Sequence, residues 1–220
     1  EAASAAGVEV FVHTSVARAG EHERFTGWDK GRWSSYYWTS KAAANDEVRS
    51  GTLAHWVILK PAFMMDNLLP PKSHKMYPQL SRGEIVTAMA PETRLDLVAA
   101  CDIGRVAAAA FLDIDTFDRR EIDLASESLT MSEIAAVLSE VTATPVRARH
   151  LDRDEVVAAG TDPGVADNQV WVAAEGYQVD LGRAGDCGVA LRTFVEWAEE
   201  HRNEFDFLTR STGRTPDLGT

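Results

Sequence analysis

Two short apolar runs separated by one helix-length segment constrain this chain more than any other feature. Gly7-Val8-Glu9-Val10-Phe11-Val12 is rich in β-branched and aromatic side chains and opens on a glycine, which reads as a buried strand. Lys41 to Ser50 holds three alanines and neither glycine nor proline, so it suits a helix, and Gly51 stands at the usual stop position. His55-Trp56-Val57-Ile58-Leu59 is a second apolar strand, closed by Lys60-Pro61. Strand, helix and strand in that order predict a right-handed crossover between two parallel strands. In such sheets ligands collect beyond the carboxyl ends of the strands. Ser15 and Pro61 both fall at those ends, and Tyr37 starts the helix between them.

Tyr37-Trp38-Thr39-Ser40-Lys41 places a phenol and an ammonium four residues apart, on one helix face. A nearby ammonium favours the phenolate, so Lys41 is expected to lower the tyrosine pKa and fit it for proton transfer. A strand-end hydroxyl, Ser15 or Thr14, is placed to hold the oxygen that receives the proton. With four tyrosines and five lysines in the chain, composition alone would supply one such spacing in roughly one chain of eleven. The weight therefore comes from the strands on either side.

These residues resemble the NmrA-like group of atypical short-chain dehydrogenases/reductases. The likeness runs through Gly7-Val8 to Thr14-Ser15, Tyr37/Lys41 and Trp56-Val57-Ile58-Leu59-Lys60-Pro61-Ala62-Phe63-Met64-Met65-Asp66-Asn67. It continues in Asp102-Ile103-Gly104, in Gly176-Tyr177-Gln178-Val179-Asp180 and in the closing Leu191 to Ala198. Lys60 stands where the group commonly has arginine, and the phenylalanine of the strand-end motif falls at Phe63.

The resemblance implies an α/β Rossmann-type fold with a parallel sheet, present as its C-terminal portion, together with a small α+β substrate lobe. On this reading residues 1–125 are the Rossmann portion, with a lobe insertion near 64–100. Residues 126–210 carry the substrate lobe and last helix, and 211–220 form a loose tail. The group opens with a strand and a Gly-x-x-Gly-x-x-Gly turn whose N–H groups cradle the dinucleotide pyrophosphate. Glu1 to Ala6 reads instead as the last turns of a helix, so the first strands and that turn are expected to be missing. An exposed sheet edge should result. Gly182, Gly185 and Gly188 repeat the glycine spacing, but no buried strand leads into them and no βαβ unit follows. They are assigned to a loop before the last helix.

The function implied is NAD(P)-dependent reduction of a carbonyl, quinone or imine-type small molecule. The nicotinamide would lie against Pro61, Ala62 and Phe63, with Asn67 and Thr14 completing the cofactor site. Tyr37 would donate the proton, Lys41 would lower its pKa and bond the nicotinamide ribose, and Ser15 would orient the substrate oxygen. The alternative is a non-catalytic NAD(P)-sensing regulator that binds a protein partner; a homodimer is also open. Without the pyrophosphate turn, NADP or NAD binding is expected to be weak.

A formal net charge of -12 argues against nucleic acid and anionic membrane as partners, and no apolar run approaches a membrane-spanning length. Cytoplasm is the default location. Cys101 and Cys187 have no near neighbour, and the six histidines show no metal-ligand spacing. His13, close to the proposed site, is read as a locally hydrogen-bonded histidine or a substrate contact.

Ala19 to Tyr36, with four aromatics among glycines and serines, reads as a long loop that either walls a substrate pocket or packs against the N-terminal part expected to be missing. Met64, Met65, Leu68 and Leu69 offer either core or pocket lining. Beyond residue 83, strands are expected at 84–88, 121–125 and 146–150. Asp102 is expected to cap a helix over 103–112. Thr130/Glu133 and Thr193/Glu196 form capping boxes for two further helices.

Overall fold

The computed structural model describes residues 2–184 and 188–208. Residues 185–187 of the glycine-spaced run, Gly185 among them, lie outside the described residues, as does the tail expected at 211–220. In chain order come α1 (Ala2–Ala5), β1 (Val10–Thr14), α2 (Ser35–Ser50), β2 (His55–Pro61), β3 (Phe63–Met64), α3 (Ser73–Met76) and β4 (Glu84–Thr87). There follow β5 (Arg94–Val98), α4 (Ala100–Leu112), α5 (Ile114–Phe117), β6 (Arg120–Leu124), β7 (Glu127–Thr130) and α6 (Met131–Thr142). The chain closes with β8 (Arg147–His150), α7 (Arg153–Ala158), α8 (Pro163–Ala174), α9 (Leu181–Ala184) and α10 (Phe194–Glu200). They form two compact units: residues 1–64, 96–128 and 175–192, and residues 65–95, 129–174 and 193–220.

The first unit is built on a parallel sheet of order β1-β2-β6. Helix α2 is the crossover between the first two strands, as the alternation of apolar runs predicts. Its start is fixed by Ser34, whose hydroxyl accepts from the Tyr37 amide. Its end is Gly51, whose amide bonds the Glu47 carbonyl. That glycine has an ordinary extended conformation (φ -67°); a Cβ there would lie 3.0 Å from the same carbonyl. Val57, Leu59, Ile122 and Leu124 pack on one face of the sheet against Ile103, Val106 and Ala110 of α4. Phe11, Trp56 and Ile58 pack on the other against Val48 of α2. Strand β1 borders the sheet, so one of its edges makes no ladder among the described residues.

Asp102 does not cap α4. The N-cap is Ala99, with no side-chain cap bond, and Asp102 lies wholly buried in the first turn. It accepts from the Arg192 backbone N–H at 2.6 Å, from the Arg192 guanidinium and from Arg105 at 3.1 Å. An acidic residue at a helix start satisfies either the helix amides or a distant partner. Here the arginines win because they bring charge to a carboxylate that water cannot reach.

In the second unit β4 pairs with β8, again in parallel. Gly83 turns the chain into β4 with φ +77°, and an added Cβ would meet the Pro145 carbonyl at 2.5 Å, so only glycine fits. Both capping boxes read from the sequence form, Thr130 with Glu133 and Thr193 with Glu196. A third, Asp152 with Glu155, opens α7. Phe194 and Trp197 stack behind the last box, their ring centroids 5.4 Å apart. Met65, Leu68 and Leu69 are buried, and so are core residues. Among the described residues no helix is long and apolar enough to cross a membrane.

Candidate functional site

Side-chain alternation along β1 decides which groups can meet. In a parallel pair, residues in register point to the same face. Phe11 is in register with Trp56, and His13 with Ile58. Since Phe11, Trp56 and Ile58 pack with Val48, Phe11, His13 and Ser15 all face α2. Val12 and Thr14 alternate to the α4 side, where Val57 and Leu59 pack. Thr14, exposed, therefore does not share a face with Ser15.

Helix α2 runs back against the strands, as any crossover helix must. Its residues 48, 45, 41 and 37, spaced at three and four, climb the same direction that Phe11, His13 and Ser15 climb on β1. The Val48 end packs with Phe11, and one level higher the Lys41 ammonium acts on His13. Tyr37 is one helical turn above Lys41, as Ser15 is one alternation above His13.

The polar atoms of this stack are unspent. Ser15 Oγ, His13 Nε2 and both amide atoms of Asn45 are buried with no hydrogen-bond partner. Asn45 is fully buried one turn below Lys41, a residue the sequence reading passed over; a buried amide on a helix face is visible only once the strand opposite is known. His13 was read as locally satisfied or as a substrate contact, and its Nε2 is not satisfied within the chain. Lys41 makes no ion pair among the described residues; its Nζ lies over the Tyr37 ring, 6.0 Å from the centroid.

That placement overturns one expectation. The Tyr37 phenol is not lowered by Lys41 but raised above its ordinary value, by burial. Tyr37 keeps 40% of its surface exposed, and the burial of the remainder disfavours the phenolate. An ammonium above the ring rather than beside the oxygen does little for the anion, since Coulomb energy falls with distance.

Burial, and then the Lys41 ammonium, hold His13 below the usual imidazole range. A depressed base is neutral in the folded chain while the unfolded chain still takes up a proton. The resulting stability is present above the unfolded value of about 6.5 and is lost as pH falls through the folded one. Urea midpoints should therefore drop on acidification below pH 6.5, and His13→Gln should flatten that part of the profile. An unchanged slope in His13→Gln would remove His13 as its source.

Pro61, Ala62 and Phe63 are buried where β2 ends. The Pro61 carbonyl accepts from Ala17 and the Ala62 amide donates to Leu124, which ties this corner to both neighbouring strands. Asn67, also buried, lies in the second unit on a 3-10 turn, Met65–Leu68. The 19–36 segment is not an open loop. Phe25 meets Trp38 edge to face at 4.9 Å, the Trp33 indole donates to the Thr26 carbonyl, and Arg18 reaches the carbonyls of Glu175 and Gly176. Phe25 and Trp33 are buried within the first unit, whereas Tyr36 is exposed.

An open pocket of about 560 Å³ lies on the opposite flank of α2. The 19–23 segment, the Thr39, Ala42, Asp46 and Arg49 flank and Lys60 line it; Ser15, Tyr37 and Lys41 do not. At its floor the Lys60 ammonium lies 3.7 Å from Glu121 and 3.6 Å from Asp123. Burial raises the Asp123 carboxyl, Lys60 opposes that, and Glu21 and Glu121 add to it. Among the described residues no cluster of His, Cys, Asp or Glu is placed to hold a metal.

Residues 1–168 match the NmrA-like family. The chain belongs to the NmrA-like family. Three solved structures place this NmrA-like chain among Rossmann-type relatives. An NADPH-dependent quinone oxidoreductase from Escherichia coli superposes with a TM-score of 0.66 at 18% identity, over 90% of this chain and 70% of that one. A Citrobacter sp. triphenylmethane reductase gives 0.67 at 18%, over 90% and 68%. NmrA, a negative transcriptional regulator solved with NAD, gives 0.65 at 15%, over 97% and 70%. Identities this low establish a shared fold, which two reductases and one regulator carry equally well. No curated protein matches the NmrA-like chain.

Proposed function

We propose that this chain carries the reducing half-site of an NAD(P)-dependent oxidoreductase acting on a carbonyl, quinone or imine-type small molecule. What supports the reading is the packing of α2 on β1: Tyr37 and Lys41 stand one helical turn apart on α2, Ser15 follows His13 by one strand alternation, and both Ser15 and His13 carry buried, unpartnered polar atoms. Such atoms cost about 1–3 kcal/mol each when left unpaired, which a ligand would relieve.

These groups fit the nicotinamide end of a dinucleotide. Lys41 has ammonium protons uncommitted to any carboxylate among the described residues, suited to ribose hydroxyls, and the buried Pro61-Ala62-Phe63 corner offers an apolar wall. When bound, the cofactor supplies a hydride to the electrophilic carbon of the substrate. Ser15 Oγ donates to the substrate oxygen or nitrogen and holds it toward the phenol. Tyr37, kept protonated by burial, gives up its proton as negative charge develops on that atom. Lys41 then stabilises the phenolate, provided its amine moves from above the ring to the oxygen. Thr14 and Asn67 are assigned to the cofactor by the family resemblance alone.

The pyrophosphate has no matching cradle among the described residues, so we expect affinity of this chain for NADPH weaker than micromolar. Titration calorimetry tests this, and a micromolar dissociation constant would contradict it. The function itself is tested by oxidation of NADPH or NADH, at saturating concentration, in the presence of a panel of quinones, aldehydes and imines. A second reading, a dinucleotide-responsive regulator that binds a protein, is favoured by one observation: the Tyr37 phenol is shifted away from, not toward, easy ionisation. Cofactor binding with no turnover across the panel would select it.

A further inference from the structure

His13 is half-buried on the α2 side of β1, and its buried Nε2 has no partner among the described residues. On the facing helix, at the same level, Lys41 has no carboxylate among the described residues. It is the charged group whose field reaches His13. An acceptor without a donor therefore lies close to a donor without an acceptor. The lysine stem has four rotatable bonds, so its amine can leave the Tyr37 ring for the strand at little cost.

We propose that His13 is a positioning residue for Lys41. With its proton on Nδ1, the neutral ring accepts at Nε2 a hydrogen bond from the Lys41 ammonium, directly or through one water, and fixes the amine against the strand one alternation below Ser15. A buried acceptor is the right partner for this task. A carboxylate there would neutralise the charge that the phenolate needs, whereas a neutral imidazole orients the ammonium and leaves its charge intact. The consequence for hydride transfer rests on the reductase reading; the pairing of the two side chains does not.

The experiment uses the full chain in four forms: unchanged, Lys41→Met, His13→Gln and His13→Leu. Imidazole resonances of His13 should titrate at lower pH than an ordinary histidine, and Lys41→Met should move that midpoint up. In urea unfolding at pH 8, His13→Leu and Lys41→Met should be non-additive by about three- to tenfold in the unfolding equilibrium constant. His13→Gln, which keeps an acceptor, should retain most of the coupling; a purely structural role would not distinguish it from His13→Leu. A His13 midpoint unmoved by Lys41→Met, together with additive unfolding, overturns the pairing. If coupling persists while Tyr37→Phe leaves turnover intact, the pairing stands and the reductase chemistry fails. If coupling is absent while Tyr37→Phe abolishes turnover, the reverse holds.

Discussion

Tyr37→Phe is expected to lower turnover of NADPH-dependent reduction by about 10²- to 10⁴-fold, the range that a positioned general acid contributes. Phenylalanine keeps the ring that meets Trp38 edge to face at 5.1 Å and removes only the hydroxyl. Folding should be nearly unaffected, because Tyr37 is 40% exposed and its hydroxyl makes no hydrogen bond that holds the helix among the described residues. Cofactor affinity should also hold, since the proposed ribose contact comes from Lys41. The loss should therefore fall on kcat rather than on KM, the pattern of an interaction made only in the transition state. Retention of more than about a tenth of the turnover would leave less than 1.4 kcal/mol for the phenol to supply, too little for a general acid. Tyr37 would then be a wall of the site, and the regulator reading would take its place.

Asp102→Ala is expected to destabilise the chain by about 3 kcal/mol. The carboxylate is wholly buried and joins α4 to the 190–192 segment through Arg192, while Arg105 also reaches the Ala190 carbonyl at 2.9 Å. Removing it strands an amide and a guanidinium beside the apolar cluster that Val189 and Leu191 extend. The figure stays at the lower end for breaking a buried pair because Arg192 and Arg105 side chains are 26% and 48% exposed, so water can reach them. Urea unfolding measures it. A loss below about 1 kcal/mol would mean that the two arginines, not the carboxylate, fix the segment.

The stack on β1 and α2 shows where sequence reasoning reaches its limit. That Tyr37 and Lys41 share a helix face follows from a fixed period of 3.6, and that Ser15 ends a strand follows from the apolar run before it. The local capping boxes at Thr130 and Thr193 were equally legible, because their partners lie three residues away. Asp102 was misassigned because an acidic residue in a first helical turn carries the same local signal whether it serves the helix or an arginine 90 residues on. The loop before α2 was legible as a loop, but its order was not, because it comes from Arg18, Phe25 and Trp33 finding partners that no local pattern announces.

By itself the sequence determined the crossover, the parallel pairing and the identity of the groups gathered at the strand ends. Each follows from periodicity and short-range chemistry, which a chain carries wherever it goes. Tertiary structure alone decided how those groups act on one another. It turned Ser15 toward α2 and Thr14 away, left His13 Nε2 and the Asn45 amide without partners, and put the Lys41 amine over the Tyr37 ring rather than at its oxygen. Burial and charge at a site are sums over neighbours distant in sequence, so the direction in which a phenol is shifted exists only once those neighbours have been brought together.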